Sequence, residues 1–226
     1  MKIKYLGHSC FLFQINGIEV IIDPFISPNN LADQINIDDL SPKYILLSHG
    51  HEDHVADALE LATKNNATII SNFEVTQWFH KKGVEHFHPM NHGGSWEFEF
   101  GKVTMVNAVH SSSMPDGSYG GNPAGFVIEA ENKTFYYAGD TALNMDMQLL
   151  GKLYSFDLAF LPIGDNFTMS AKDAVMASDF INCNKIVGMH FDTFGYIKID
   201  HGQSIALFKN AGKELTIPTI GDEIII

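Results

Sequence analysis

His49-Gly50-His51-Glu52-Asp53-His54 packs three imidazoles and the Asp53 carboxylate into six consecutive residues. It is launched from Tyr44-Ile45-Leu46-Leu47, an apolar run of the length of a short buried strand, through Ser48. His49 and His51 lie two positions apart, so an extended backbone turns both rings to one side. Asp53 and His54 fall where the chain enters a helix, because Val55, Ala58, Leu59 and Ala62 recur at helical spacing. Imidazole nitrogen and carboxylate oxygen are donors that zinc, manganese, iron and nickel accept. A strand that delivers His49, His51, Asp53 and His54 at its end predicts a metal site at a sheet edge.

Outward from that stretch the chain alternates strands and helices. Residues 3–6, 10–15 and 18–22 read as strands, the last two joined as a hairpin by Asn16-Gly17. Residues 68–71 read as a strand and 73–82 as a helix. The second half repeats the texture, with strands at 102–109, 126–130, 134–137, 157–161 and 185–189. Helices are expected at 143–153, from the capping-box start Ser170-Ala171-Lys172-Asp173 to 180, and at 204–210. This alternation predicts an α/β layered fold, a single domain over residues 1–226. Three further metal-type donors each follow a predicted strand: His110, Asp140 and His190.

Together, His49-x-His51-x-Asp53-His54, His110, Gly139-Asp140-Thr141 and His190 resemble the metallo-β-lactamase superfamily. Gly7-His8-Ser9-Cys10, Ile22-Asp23-Pro24-Phe25, Leu161-Pro162-Ile163-Gly164-Asp165-Asn166 and Met189-His190-Phe191-Asp192 narrow the likeness. They are similar to that superfamily's uncharacterised metal-dependent hydrolases, relatives of the bacterial ascorbate-6-phosphate lactonase. The resemblance implies an αββα sandwich, two β-sheets flanked by helices with two divalent metal ions at one edge. It assigns His49, His51 and His110 to one metal, Asp53, His54 and His190 to the other, and Asp140 as the bridge. Asp140 stands where several of the β-lactamases have cysteine or serine, which points away from antibiotic hydrolysis. His51 stands where the flavin-linked di-iron branch typically has glutamate, which points away from that branch too.

The implied chemistry is hydrolysis: a metal-bridging hydroxide attacks a small ester-like substrate, with a lactone the first expectation. Asp53 is expected to orient the nucleophile or take its proton, and His8 to shuttle a proton to the leaving group. The alternatives are a small-molecule phosphodiesterase or nuclease, or a non-catalytic metal-binding regulatory protein of the same fold. Asp23 and Asp165 are candidate supports for ligand imidazoles, or ordinary strand-end and turn residues.

Composition narrows the partners. All 14 basic residues are lysine, with no arginine, against 27 acidic residues, for a net charge of −13. Arginine is the usual bidentate clamp for phosphate, and duplex binding needs a clustered basic face. Nucleic acid is therefore disfavoured and a small-molecule substrate expected; Lys198 is a candidate anion contact, and self-association is left open. Cys10 and Cys183 cannot build a disulfide framework and are expected to be buried thiols in a reducing compartment. The first residues lack the apolar run of a signal peptide, and no stretch reaches the roughly 18 apolar residues of a membrane span. The expectation is a cytoplasmic enzyme that does not engage a membrane. His86, His88 and His92 read as strand and turn residues. The glycine-rich segment 117–123 lacks the Gly-Lys-Ser/Thr ending of a phosphate loop and is either substrate-facing or a hairpin connection.

Overall fold

The computed structural model describes residues 1–225. Its first strands are β1 (Lys2–Gly7), β2 (Cys10–Ile15), β3 (Ile18–Ile22), β4 (Tyr44–Leu46), β5 (Thr68–Asn72) and β6 (Phe87–Met90). Then follow β7 (Ser95–Phe98), β8 (Gly101–Asn107), β9 (Ala124–Ala130), β10 (Lys133–Tyr137), β11 (Leu158–Pro162), β12 (Lys185–Met189), β13 (Glu214–Thr216) and β14 (Glu223–Ile225). They form two seven-stranded sheets, ordered β14-β1-β2-β3-β4-β5-β6 and β13-β12-β11-β10-β9-β8-β7. In the first, each strand from β14 through β1 and β2 to β3 is antiparallel to its neighbour, whereas β3 to β6 run parallel. In the second, β7 to β10 are antiparallel and β10 to β13 parallel. Each half of the molecule therefore repeats one pattern, a meander that opens into a parallel fan.

The apolar runs lack polar alternation because the strands are covered on both faces. In β2, Phe11, Phe13 and Ile15 point into the core between the sheets, while Cys10 and Leu12 point to an outer layer. The central layer is aromatic. Phe160 of β11 meets Phe11 at 4.8 Å and Phe13 at 5.5 Å between ring centroids, in edge-on contacts. Helices α1 (Glu52–Val55), α2 (Ala58–Asn65) and α3 (Phe73–Lys81) belong to the first half. Leu61 and Phe79 of α2 and α3 pack with Ile45 and Ile69 of its sheet. Helices α4 (Asp146–Leu153), α5 (Ala171–Phe180) and α6 (His201–Asn210) belong to the second half, with Leu150, Ala177 and Phe208 in the core. This is the expected sandwich. No helix among the described residues is long and apolar enough to cross a membrane.

Several boundaries differ from the sequence expectation. The periodic stretch after His54 is two helices, broken at Ala56-Asp57, because the Asp57 carboxylate accepts the backbone N–H groups of Ile26 and Ser27. β8 ends at Asn107 rather than at 109: the Val109 N–H leaves the ladder and donates to Thr141 Oγ1. The edge strands β7, β13 and β14 lie outside the expected strands, although Trp96, Phe98 and Phe100 alternate with Glu97 and Glu99 and β14 is apolar at Ile224 and Ile225. Cys10 and Cys183 are free and buried, as expected.

Candidate metal centre

Direction is what gathers the site. β1, β3 and β4 point one way in their sheet, and β8, β10 and β12 share one direction in theirs, so their carboxyl ends meet at one edge of the sandwich. From those ends come His8, Asp23, the 49–54 segment, His110, Asp140 and His190. The His190 N–H donates to the His8 carbonyl at 3.0 Å, which ties the two sheets together at this edge. His8, Asp23 and His190 all adopt positive φ, of 55°, 47° and 55°. Such conformations are uncommon outside glycine and cost of order 1–3 kcal/mol each, so the fold holds strain where these side chains converge. Gly139, immediately before Asp140, has φ 63°, and a Cβ there would collide with the Ala124 carbonyl oxygen. A side chain at 139 would thus force β10 away from β9 and displace Asp140.

All seven residues expected from the sequence as metal ligands come together. Asp140 Oδ2 is the hub: it lies 2.9 Å from His190 Nε2, 3.3 Å from His54 Nε2 and 3.6 Å from His110 Nε2. On one side of it His49, His51 and His110 bring ligand nitrogens within 4.8 Å of one another. On the other, His8, Asp53, His54 and His190 do the same. A third set, His49, His54 and Asp140, spans the two sides, and His8 joins the second group beyond the residues expected as ligands. His8 is buried, with Nε2 3.0 Å from Asp53 Oδ2 and Nδ1 2.9 Å from Thr193 Oγ1.

The tautomers follow from the hydrogen bonds. Asp23 is fully buried and its carboxylate accepts from the Ser48 N–H (2.7 Å), Ser48 Oγ (2.5 Å), Tyr137 OH (2.8 Å) and His54 Nδ1 (2.9 Å). His54 therefore donates from Nδ1 and turns Nε2 inward, towards Asp140. Ser48 Oγ has spent its proton on Asp23, so it accepts from His49 Nδ1 at 3.0 Å, which leaves His49 Nε2 bare. One carboxylate orients two imidazoles, directly and through a serine, in the manner of partners that sit behind metal ligands. His54 Nε2 and Asp140 Oδ1 are buried with no hydrogen-bond partner, an arrangement costly for a polar atom unless a cation takes the lone pair. The donor set and these orphaned atoms fit divalent metal.

Electrostatics separate the two sides. Burial pushes His49, His51 and His110 below the usual imidazole range, and the His54 charge adds to this at His49. Burial is the largest single effect on His54 and His190 and opposes their charge, yet Asp140 and Asp53, with Asp23 as well at His54, together outweigh it. His54 stands well above its ordinary value and His190 at about 9. Burial works against ionised Asp53 and Asp140 too, but the neighbouring histidines hold both far below the usual carboxylate range. Burial takes His8 down to about 4.

Other candidates fall outside the cluster. Asp165 is an exposed turn residue whose carboxylate accepts the Asn166 N–H, so it supports no imidazole. Lys198 and Lys172 line a neighbouring cleft on the far side of Tyr196. His92 Nε2 donates to the Pro123 carbonyl, and His88 packs at a tilt against Trp96. The segment containing 117–123 folds back as a hairpin, pinned by Asn72 to the Gly120 and Asn122 carbonyls, and sets Ser111 Oγ 3.5 Å from His51 Nε2. Ser48, Tyr137 and Thr193 were not anticipated. Only Ser48, next to His49, carried a local signal.

Residues 19–191 match the family described as Beta-lactamase superfamily domain. The chain is 55% identical over 225 residues to a UPF0173 metal-dependent hydrolase of Christiangramia forsetii, covering 99% of each. It is 50% identical over 210 residues to one from Methylacidiphilum infernorum, covering 93% of each. Among solved structures, a metallo hydrolase from the hyperthermophilic archaeon Ignicoccus hospitalis superposes with a TM-score of 0.89 at 30% identity, over 99% of this chain and 97% of that one. An isothiocyanate hydrolase from Delia radicum gut bacteria gives 0.83 at 18% identity over 100% and 99%, a likeness of fold.

Proposed function

The chain belongs to the metallo-β-lactamase superfamily, among its metal-dependent hydrolases, and from that premise we propose that it is a dinuclear hydrolase of small ester-like substrates, lactones first among them. The observation that carries the reading is the Asp140 carboxylate, with Oδ2 within 3.6 Å of His54, His110 and His190 and Oδ1 buried without a partner. His49, His51 and His110 would hold one divalent cation, Asp53, His54 and His190 the other, and Asp140 both. Bound there, the cations supply Lewis-acid polarisation and acidify water at neutral pH.

The chain's own groups handle the protons. Asp53 is the acidic group of the cluster that stays partly open, with 24% of its side chain exposed, so it meets the attacking water and accepts its proton at Oδ2. His8 is buried and neutral, with its Nε2–H on Asp53 and its Nδ1 accepting from Thr193. It serves the leaving group through Asp53 rather than by touching substrate. Water's oxygen bonds to the carbonyl carbon, the ester C–O bond breaks, and the alcohol leaves with the proton Asp53 returns. Positioned acid–base groups of this kind contribute about 10²–10⁴ in rate.

The test is hydrolysis by metal-replete protein, with Asp140→Ala as control, of lactones, thioesters, a β-lactam and a small phosphodiester. Metal-dependent opening of lactones, absent in the control, is the expected result. Exclusive phosphodiester turnover would replace the carbonyl reading with phosphorus chemistry, and silence with two metals bound would contradict hydrolysis of all four classes.

A further inference from the structure

A cleft of about 840 Å³ opens beside the cluster, with Asp53 in its lining. Its volume lies in the range of small-molecule sites. Its other walls are aromatic: Phe25, Phe194, Phe167 and Tyr196. Phe194 lies 5.4 Å from the His8 ring and 6.2 Å from Phe25, so one wall is packed directly on the site. Phe167 and Tyr196 meet edge-on at 6.1 Å and form the outer wall, 48% and 78% exposed. Aromatic surface left in water beside a reactive cluster is available for an apolar ligand.

The charges of the lining are as telling as its rings. Glu52 and Asp53 are its ionisable acids, no lysine lines it, and the chain has no arginine. A phosphate or carboxylate on the substrate would leave water for a space with no cation of the protein's own to receive it, next to Glu52. The basic groups nearby, Lys172 and Lys198, belong to the cleft beyond Tyr196.

Resting on the hydrolase reading above, we infer that the substrate is uncharged and carries an apolar tail, which lies between Phe194 and the Phe167–Tyr196 pair while its ester group reaches Asp53. Tyr196 and Phe167 are then specificity-determining residues: they bind the part of the substrate that does not react. A sugar phosphate does not fit this lining.

The experiment uses metal-replete full-length protein and γ-lactones whose alkyl tail grows from methyl to hexyl, alongside analogues ending in a carboxylate. The inference predicts kcat/KM rising about fourfold for each methylene that enters the cleft, and poor turnover of the carboxylates. In Phe167→Ala/Tyr196→Ala the dependence on tail length flattens; Tyr196→Phe restores it. Both side chains stand largely in solvent, so the variants should fold. Saturation-transfer NMR with 1-octanol, which cannot be hydrolysed, reads the cleft without chemistry. Octanol bound by the wild type but not by the double variant, with every lactone left intact, would uphold the cleft and overturn the hydrolase. Turnover with no dependence on tail length, or a preference for the carboxylates, would overturn the cleft while leaving the hydrolase. A dimer that dissociates in the double variant, with no octanol bound, would assign the aromatic wall to a second copy of the chain and overturn the inference.

Discussion

The two sides of the cluster are built from similar imidazoles and behave oppositely. His49, His51 and His110 lie where burial dominates over the pull of Asp140 and, at His51, of Asp53, so they are neutral and present bare nitrogen to a cation. His54 and His190 stand among Asp140, Asp53 and, for His54, Asp23, so without metal they hold protons. The lesson is that a carboxylate beside an imidazole acts as a proton trap until a cation arrives, and then as a ligand. On the proposed reading, one side is ready for metal and the other must release protons to accept it.

The strongest way to break this contrast is to remove its hub. On the dinuclear proposal, Asp140→Ala lowers bound metal from two equivalents per chain towards none and abolishes turnover, because both sides lose a ligand. Elemental analysis reads this, and two metals retained would refute the bridging role. Single-sided variants come next. His110→Ala should empty the neutral side and His190→Ala the protonated side, each leaving one equivalent; loss of both metals in either would mean that the sides do not bind separately.

A milder perturbation targets the support. Asp23→Asn keeps the shape but weakens the acceptor that fixes His54 and Ser48, so metal affinity or activity should fall ten- to a hundred-fold. Competition with a chelator measures it. An unchanged affinity would make Asp23 a strand-end residue only.

The protons sharpen the comparison directly. Above the ordinary imidazole value of 6.5, metal binding at pH 7.5 should release protons from His190 and His54, seen as a buffer-dependent heat in calorimetry. His110→Ala should keep that release and His190→Ala should lose most of it. The same shift governs the metal-free fold. His190 has a folded pKa of about 9, raised from 6.5, so its stabilisation is complete below pH 6.5 and is lost as pH rises through 9. Burial depresses His8 to about 4, so its contribution has the opposite sign and is lost as pH falls from 6.5 towards 4. Urea titrations of chelated protein across pH 5–10 should therefore show stability declining at both ends; a flat alkaline limb would refute the raised His190. Smallest of all, Ser170→Ala at the cap of α5 should cost about 1 kcal/mol of stability and leave metal content untouched, marking the effect of damage remote from the cluster.

The same contrast explains what could be read from the chain. Four of the donors are contiguous in 49–54 and were legible from residue type and spacing alone. His110, Asp140 and His190 are each a single polar residue after an apolar strand; that repeated placement grouped them, and the resemblance to a family gave each a metal. β2 and β3 coincide with their apolar runs because Asn16-Gly17 bounds them, whereas the break between α1 and α2 comes from Asp57 bonding to Ile26 and Ser27, some thirty residues away. Tyr137 reaches Asp23 across 114 residues and looked like core in the sequence. The aromatic cleft was illegible for a related reason. Phe25, Phe167 and the pair Phe194 and Tyr196 lie on three separate loops, and nothing local distinguishes a phenylalanine that lines a site from one that fills a core.

The most direct test of the two-sided centre is anomalous diffraction from crystals of metal-loaded protein. Two peaks are predicted, one among His49, His51 and His110 and one among Asp53, His54 and His190, with Asp140 touching both. A single peak, or two peaks of which only one contacts Asp140, would contradict it.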